Sequence, residues 1–256
     1  MELRKKKNTL IYIAAYNSEK TIDRVISGVR SVVPESFILV VDDGSKDRTV
    51  EIAKKLGVYI IKHKINKGYG GSQKTSYKFA VKNHYEKILM IHGDGQHNHL
   101  FIPKLLGMLD EGYDLVMGSR MKDKISALKG KMPPLKFVVN IFLSTVQNFV
   151  TGLNLSEYHS GYRAISVKLL KRMIEEKLID KMSNDYIFDQ QFIFAVLALG
   201  AKIGEIPVST IYEKTSSHMS LTKGIKYSWE TMKLSMRYLL WKKGFINNID
   251  TLIKLY

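Results

Sequence analysis

The chain has 256 residues, no cysteine and a formal net charge of +16. Disulfides, Cys-based zinc sites and thiol catalysis are excluded, and a reducing compartment is compatible with that. The charge implies anionic partners such as nucleotides, phospholipid headgroups or nucleic acid, although the lysines are spread along the whole chain.

Residues 10–15 predict a buried strand that runs into Tyr16-Asn17-Ser18-Glu19. Ser18 is placed to cap a helix bearing Ile22, Val25, Ile26 and Val29 at helical spacing, and Pro34 ends it. A second strand over 37–41 leads to Asp42-Asp43-Gly44-Ser45. A helix over 47–56 and a strand over 58–62 follow. This β-α-β-α-β order with short turns is the pattern of a parallel sheet. Asn66 to Gly71 is a glycine-rich turn into a helix over 72–83. Such a turn can cradle phosphate, but it lacks P-loop spacing and alone reads more often as a flexible loop.

The stretch from Ile88 to His97 organises the chain. Four apolar residues, 88–91, need both faces covered, so their strand is central. His92, Asp94 and Gln96 then alternate, and an extended chain would place them on one side. Oxygen ligands with one imidazole suit Mg²⁺ or Mn²⁺; the plain alternative is a polar turn before a helix. A helix near 100–110 and a strand over 114–117 end in Gly118-Ser119-Arg120. Tyr16-Asn17, Asp42-Asp43, His92/Asp94/Gln96 and Ser119-Arg120 thus all fall at carboxyl ends of strands, where ligands sit in open parallel sheets.

Residues 121–131 read as a mobile loop, and 135–150 as an amphipathic helix after Pro133-Pro134. Leu155 to Arg163 is dense in polar and aromatic groups. A strand and helix over 164–177, a helix from 183–186 to 199, a last strand over 202–212 and a polar loop over 213–220 follow. Residues 1–220 are expected to form one domain, with a basic, amphipathic helical extension over 221–256. That extension fits either an interfacial helix on an anionic membrane or a helix packed on the domain with its basic face in water. No signal peptide or transmembrane helix is expected, since the best apolar runs, 137–153 and 188–201, are broken by polar residues.

Seven stretches, in order, resemble family 2 glycosyltransferases. They are Ala15-Tyr16-Asn17-Ser18-Glu19, the run from Val41 to Thr49, Asn66-Lys67-Gly68, Gly93-Asp94-Gly95-Gln96-His97, Gly118-Ser119-Arg120, Ser160-Gly161-Tyr162-Arg163, and Gly204-Glu205-Ile206-Pro207-Val208. The similar subgroup contains dolichol-phosphate mannose synthases and other polyprenyl-phosphate glycosyltransferases. The resemblance implies an α/β fold of GT-A type, with a Rossmann-like, mostly parallel central sheet flanked by helices.

It also implies inverting transfer from a UDP- or GDP-linked sugar. The acceptor would be a polyprenyl or dolichyl phosphate at the inner face of the cell membrane, reached from the cytoplasm. A peripheral position there leaves room for a partner membrane protein as anchor. Ala15, Tyr16, Asn17, Glu19, Asp42, Asp43, Gly44, Lys67, Gly68 and Asp94 would hold the nucleotide sugar. Asp94, Gln96 and His92 would bind Mg²⁺ or Mn²⁺. Arg120, Arg163, Lys214 and His218 would meet the acceptor or its phosphate. Asp189, Arg120 and Asp94 would be catalytic, Asp189 as base; its plain alternative is a carboxylate favoured by a helix N-terminus.

Two departures stand out. His92 replaces the first Asp of the usual metal motif, and the loop after the last strand lacks the usual Arg and Lys, with Lys214 and His218 as substitutes. Transfer to a saccharide hydroxyl and a catalytically weakened nucleotide- or membrane-binding module are the alternatives. Nucleic-acid binding rests on charge alone, with no recognition motif behind it.

Overall fold

The computed structural model describes residues 8–210 and 220–255. The chain alternates strands and helices through its first half: β1 (Thr9–Ala15), α1 (Ile22–Val32), β2 (Phe37–Asp42), α2 (Thr49–Lys55), β3 (Tyr59–Lys62), α3 (Tyr69–Lys82), β4 (Lys87–His92), α4 (Ile102–Asp110) and β5 (Leu115–Ser119). Then come α5 (Lys124–Lys129), α6 (Pro134–Thr151), β6 (Arg163–Ser166), α7 (Val167–Glu175), α8 (Leu178–Lys181), α9 (Phe188–Ala198), β7 (Ile203–Pro207), α10 (Leu221–Lys242) and α11 (Ile249–Ile253). The sheet order is β3-β2-β1-β4-β6-β5-β7, with β4 at its centre. All pairings are parallel except those of β6, which runs antiparallel to both neighbours.

The period-two geometry of strands explains why β1, β2 and β4 are apolar without interruption. Leu10 and Tyr12 join Leu39, Val41, Ile88 and Met90 in one core, with side chains from α3, α7 and α9. Ile11 and Ile13 join Val40, Leu89 and Ile91 in the other, with α1, α2 and α4. Helices therefore cover both faces, as a parallel sheet demands. The inner side of α10 joins the first core through Leu234 and Tyr238. Each such buried side chain is worth about 1.5–3 kcal/mol. No helix among the described residues is long and apolar enough to cross a membrane.

Several local expectations are corrected. Ser18 does not cap α1 with its side chain; its carbonyl accepts from the Thr21 and Ile22 amides. The helix after the glycine-rich turn starts at Tyr69 rather than at Ser72, so Gly70 and Gly71 lie in its first turn. A Cβ on Gly70 would stand 2.5 Å from the Ser183 carbonyl oxygen, so glycine is required by close backbone approach. The segment read as a mobile loop carries α5, capped by Asp123, whose carboxylate accepts from the Ser126 amide at 3.0 Å. The chain after His92 is not extended: it turns through Gly93 to Gly95, where φ is +73°. The last strand stops at Pro207; the expected residues 211–212, and Lys214 and His218 beyond them, lie outside the described residues.

Candidate active site

The carboxyl ends of β1, β2 and β4 are bound together. The Asp43 amide donates to the Ala15 carbonyl at 2.9 Å, and the Gly93 amide to the Ala14 carbonyl at 2.8 Å. Beyond them, two loops interlock. The Asn17 amide donates to Ser45 Oγ, and Asn17 Oδ1 accepts from the Lys46 amide at 3.0 Å. The Glu19 amide donates to Asp47, and the Glu19 carboxylate accepts from the Arg48 amide. Tyr16 is left at the rim, 50 % exposed.

Asp42 and Asp43 have different tasks. Asp42 is fully buried, and its Oδ2 accepts from the Ser45 amide at 3.1 Å, bracing the turn that carries Gly44. Asp43 faces the other way. Its Oδ1 lies 2.7 Å from His63 Nδ1 and accepts from the Lys67 amide at 2.8 Å. Its Oδ2 accepts from the Gly68 amide at 2.9 Å. Asp43 thus holds the segment that feeds α3.

Asp94 sits in the turn after β4, partly exposed. Its carboxylate accepts from the Gln96 amide at 3.1 Å and from Gln96 Nε2 at 2.8 Å. Among the described residues, no group of three or more His, Asp or Glu side chains could hold a metal. A carboxylate and a neighbouring amide still fit Mg²⁺ or Mn²⁺ if a bound diphosphate completes the shell, since such ions are commonly shared with substrate phosphates. His92 belongs to the wall of the site. Its ring packs edge-on against Tyr69 and His97, at 5.8 and 5.1 Å between centroids. Its Nε2 is buried without a hydrogen-bond partner, 2.7 Å from where a Cβ on Gly161 would stand.

Two buried ion pairs form the far side. Arg120 grips Glu157: its amide donates to Oε2 at 2.8 Å, its Nε to Oε2 at 3.1 Å, and its Nη2 to Oε1. The same Nη2 donates to the His159 carbonyl at 3.1 Å. Burial works against the Glu157 charge, but Arg120 beside it outweighs burial and holds the carboxyl below its ordinary range. In the second pair, Arg163 Nη2 lies 2.9 Å from Asp189 Oδ2. Asp189 Oδ2 also accepts from the Tyr69 hydroxyl at 2.9 Å, and Oδ1 from Gln73 Nε2 at 2.8 Å. Each Asp189 oxygen therefore accepts one hydrogen bond, with the Arg163 guanidinium beside Oδ2. Burial opposes the Arg163 charge, and Asp189 more than restores it.

Lys136, in the first turn of α6, is a site residue the motifs did not reveal. Burial and the Arg120 charge lower its ammonium pKa to about 8, against the pull of Glu157 and Asp94. A lysine opposing the dipole at a helix N-terminus was the available signal. Glu157, Tyr69 and Gln73 were also missed, because their partners are remote in sequence.

Three histidines of this region are kept neutral by burial. His92 and His97 are shifted down, and His159 falls to about 4. Between pH 6.5 and 4 the unfolded chain therefore binds protons that the folded chain refuses. Stability is full above about pH 6.5 and falls as pH drops; His159 alone contributes up to about 3 kcal/mol of that loss. Calorimetry from pH 7 to 4.5 should show a steadily falling melting temperature, with a shallower slope in His159→Asn. A melting temperature flat over that window would contradict the neutral assignment.

Comparison with known proteins agrees with this geometry. Residues 10–174 match the profile of Glycosyl transferase family 2. The chain is 31 % identical over 255 residues to UDP-N-acetylglucosamine–dolichyl-phosphate N-acetylglucosaminyltransferase of Methanococcus voltae, covering 92 % of this chain and 97 % of that one. It is 29 % identical over 224 residues to undecaprenyl-phosphate mannosyltransferase of Micrococcus luteus, covering 84 % and 88 %. Glucosyl-3-phosphoglycerate synthase of Mycobacterium tuberculosis, solved with Mn²⁺, UDP and phosphoglyceric acid, has the same fold. The TM-score is 0.64 at 18 % identity, over 93 % of this chain and 79 % of that one. The chain belongs to glycosyl transferase family 2, as an enzyme of the GT-A fold.

Proposed function

We propose that the chain transfers a sugar from a UDP- or GDP-linked donor to the phosphate of a polyprenyl or dolichyl phosphate. The carrying observation is Asp189. Tyr69 and Gln73 each donate to one of its oxygens and the Arg163 guanidinium stands beside Oδ2, so the carboxylate expected to act as base is already engaged with the protein. A hydroxyl acceptor needs a base to take its proton, whereas a phosphate is already anionic and needs none. The names of the relatives above point to the same acceptor class.

In this reading Asp189 is a positioning residue that fixes Arg163. Tyr16, Asn17 and Gly44 border the nucleotide, while Asp42, Asp43 and Glu19 hold the loops beneath it. Asp94 and Gln96 would hold Mg²⁺ or Mn²⁺, which when bound would supply positive charge where the leaving diphosphate gains negative charge. Arg120, oriented by Glu157, and Lys136 add cationic donors on the acceptor side.

The test is incubation of the purified chain with UDP- and GDP-sugars and a short polyprenyl phosphate, with products read by mass spectrometry. A lipid-linked sugar phosphate is expected. Transfer to saccharide hydroxyls alone would overturn the acceptor assignment.

A further inference from the structure

His63 follows β3, an edge strand whose own residues are all at least partly exposed. Its backbone prolongs the sheet, the His63 amide donating to the Asp42 carbonyl at 2.9 Å. Its side chain turns inward and is only 3 % exposed. Both ring nitrogens are engaged there. Nδ1 lies 2.7 Å from Asp43 Oδ1, and Nε2 lies 2.9 Å from Thr75 Oγ1. A carboxylate has no proton to give, so Nδ1 donates to Asp43. His63 thus ties together the carboxyl end of β2, the turn over 63–68 and the second turn of α3.

Stability alone does not call for this imidazole. The start of α3 is secured elsewhere, with the Gly70 amide donating to the Asn184 carbonyl at 2.8 Å. An apolar side chain of similar size would fill the space without burying two polar nitrogens. What the imidazole adds is direction. Asp43 accepts from the Lys67 and Gly68 amides, and His63 adds a side-chain donor that limits rotation of the carboxylate. The turn beside it is packed just as closely. Gly44 has φ +82°, and a Cβ there would stand 3.2 Å from the Asn66 amide nitrogen.

We infer that His63 is a positioning residue for the donor nucleotide: it fixes Asp43, and through Asp43 the Gly44 and Lys67-Gly68 turns, in the arrangement that receives a nucleoside diphosphate. The inference rests on the proposed donor site and adds a residue that acts through Asp43. Turns already held in place need less ordering when a ligand binds, so His63 governs affinity rather than the chemical step.

The full chain is to be titrated calorimetrically with UDP and with GDP, each with Mg²⁺, well below the melting temperature of every variant. His63→Ala should weaken binding of the nucleotide that wild type takes by about 10- to 100-fold, the range seen for groups that orient the ligands of a metal. KM for the nucleotide sugar should rise by a similar factor, with kcat kept within about threefold. Two amides separate positioning from packing. Asn offers an N–H near the place of Nδ1, whereas Gln is nearer to His in volume but reaches toward the place of Nε2. Positioning predicts that His63→Asn recovers most of the lost affinity and His63→Gln little; space-filling predicts the reverse. A measurement without substitution guards against a variant that fails to fold. In ¹⁵N-histidine-labelled wild type, the His63 ring signals should shift when nucleotide and Mg²⁺ are added, while those of His84, exposed beyond the end of α3, should not. The inference is overturned if His63→Ala binds nucleotide as tightly as wild type, if Gln rescues better than Asn, or if the His63 signals ignore the nucleotide. A wild type that binds neither nucleotide would instead overturn the donor site itself.

Discussion

Asp94→Ala should reduce sugar transfer by about 10²- to 10³-fold, the range seen when one group that stabilises developing charge is removed. The fold should barely notice. The Asp94 carboxylate accepts from the backbone and side-chain amides of Gln96, two residues away in the same partly exposed turn. A melting temperature within about 2 °C of wild type is expected, because surface substitutions of this kind stay near 0.5 kcal/mol. Steady-state rates alongside calorimetry check this. Undiminished transfer would remove Asp94 from the diphosphate, and a collapsed fold would make it a structural residue.

Arg163→Leu should have the opposite profile, with stability falling first. It leaves the Asp189 carboxylate buried beside an apolar group, and breaking one side of a buried pair typically costs 3–5 kcal/mol. For a chain of this size that is a drop of roughly 6–20 °C. Adding Asp189→Leu should recover part of the loss, because no unpaired charge then remains. A single variant as stable as wild type would show that water reaches this pair. Recovery of stability without recovery of transfer would place Arg163 in the reaction as well as in the core.

The sheet was legible because its signals are local. Unbroken apolar runs at 10–13, 38–41 and 88–91 can only be satisfied by cover on both faces, and that is where the two cores form. The polar residues that end those strands likewise stand at one edge of the sheet. What escaped depends on contacts distant in sequence. Arg120 meets Glu157 across 37 positions, and Tyr69 meets Asp189 across 120. No periodicity reports such pairs. Gly70 looked like loop chemistry, yet its need is the Ser183 backbone pressed against it. Asp43 reads as a nucleotide contact, and the sequence does not show that His63 and the Lys67 and Gly68 amides meet it as well. The reversed direction of β6 was also hidden, because a strand of four residues carries no mark of its orientation.

Everything proposed for the site requires a nucleotide diphosphate, held with a divalent ion, beside Tyr16, Asp42 and Asp94. Thermal unfolding with UDP and GDP, each with Mn²⁺, Mg²⁺ or chelator, tests this most directly. A ligand at about 100 times its dissociation constant stabilises the folded chain by about 2.7 kcal/mol, or roughly 5–10 °C here. One of the two nucleotides should produce that shift with metal, lose most of it with chelator, and lose it in Asp94→Ala. No shift with either nucleotide under any metal condition would contradict the donor site itself.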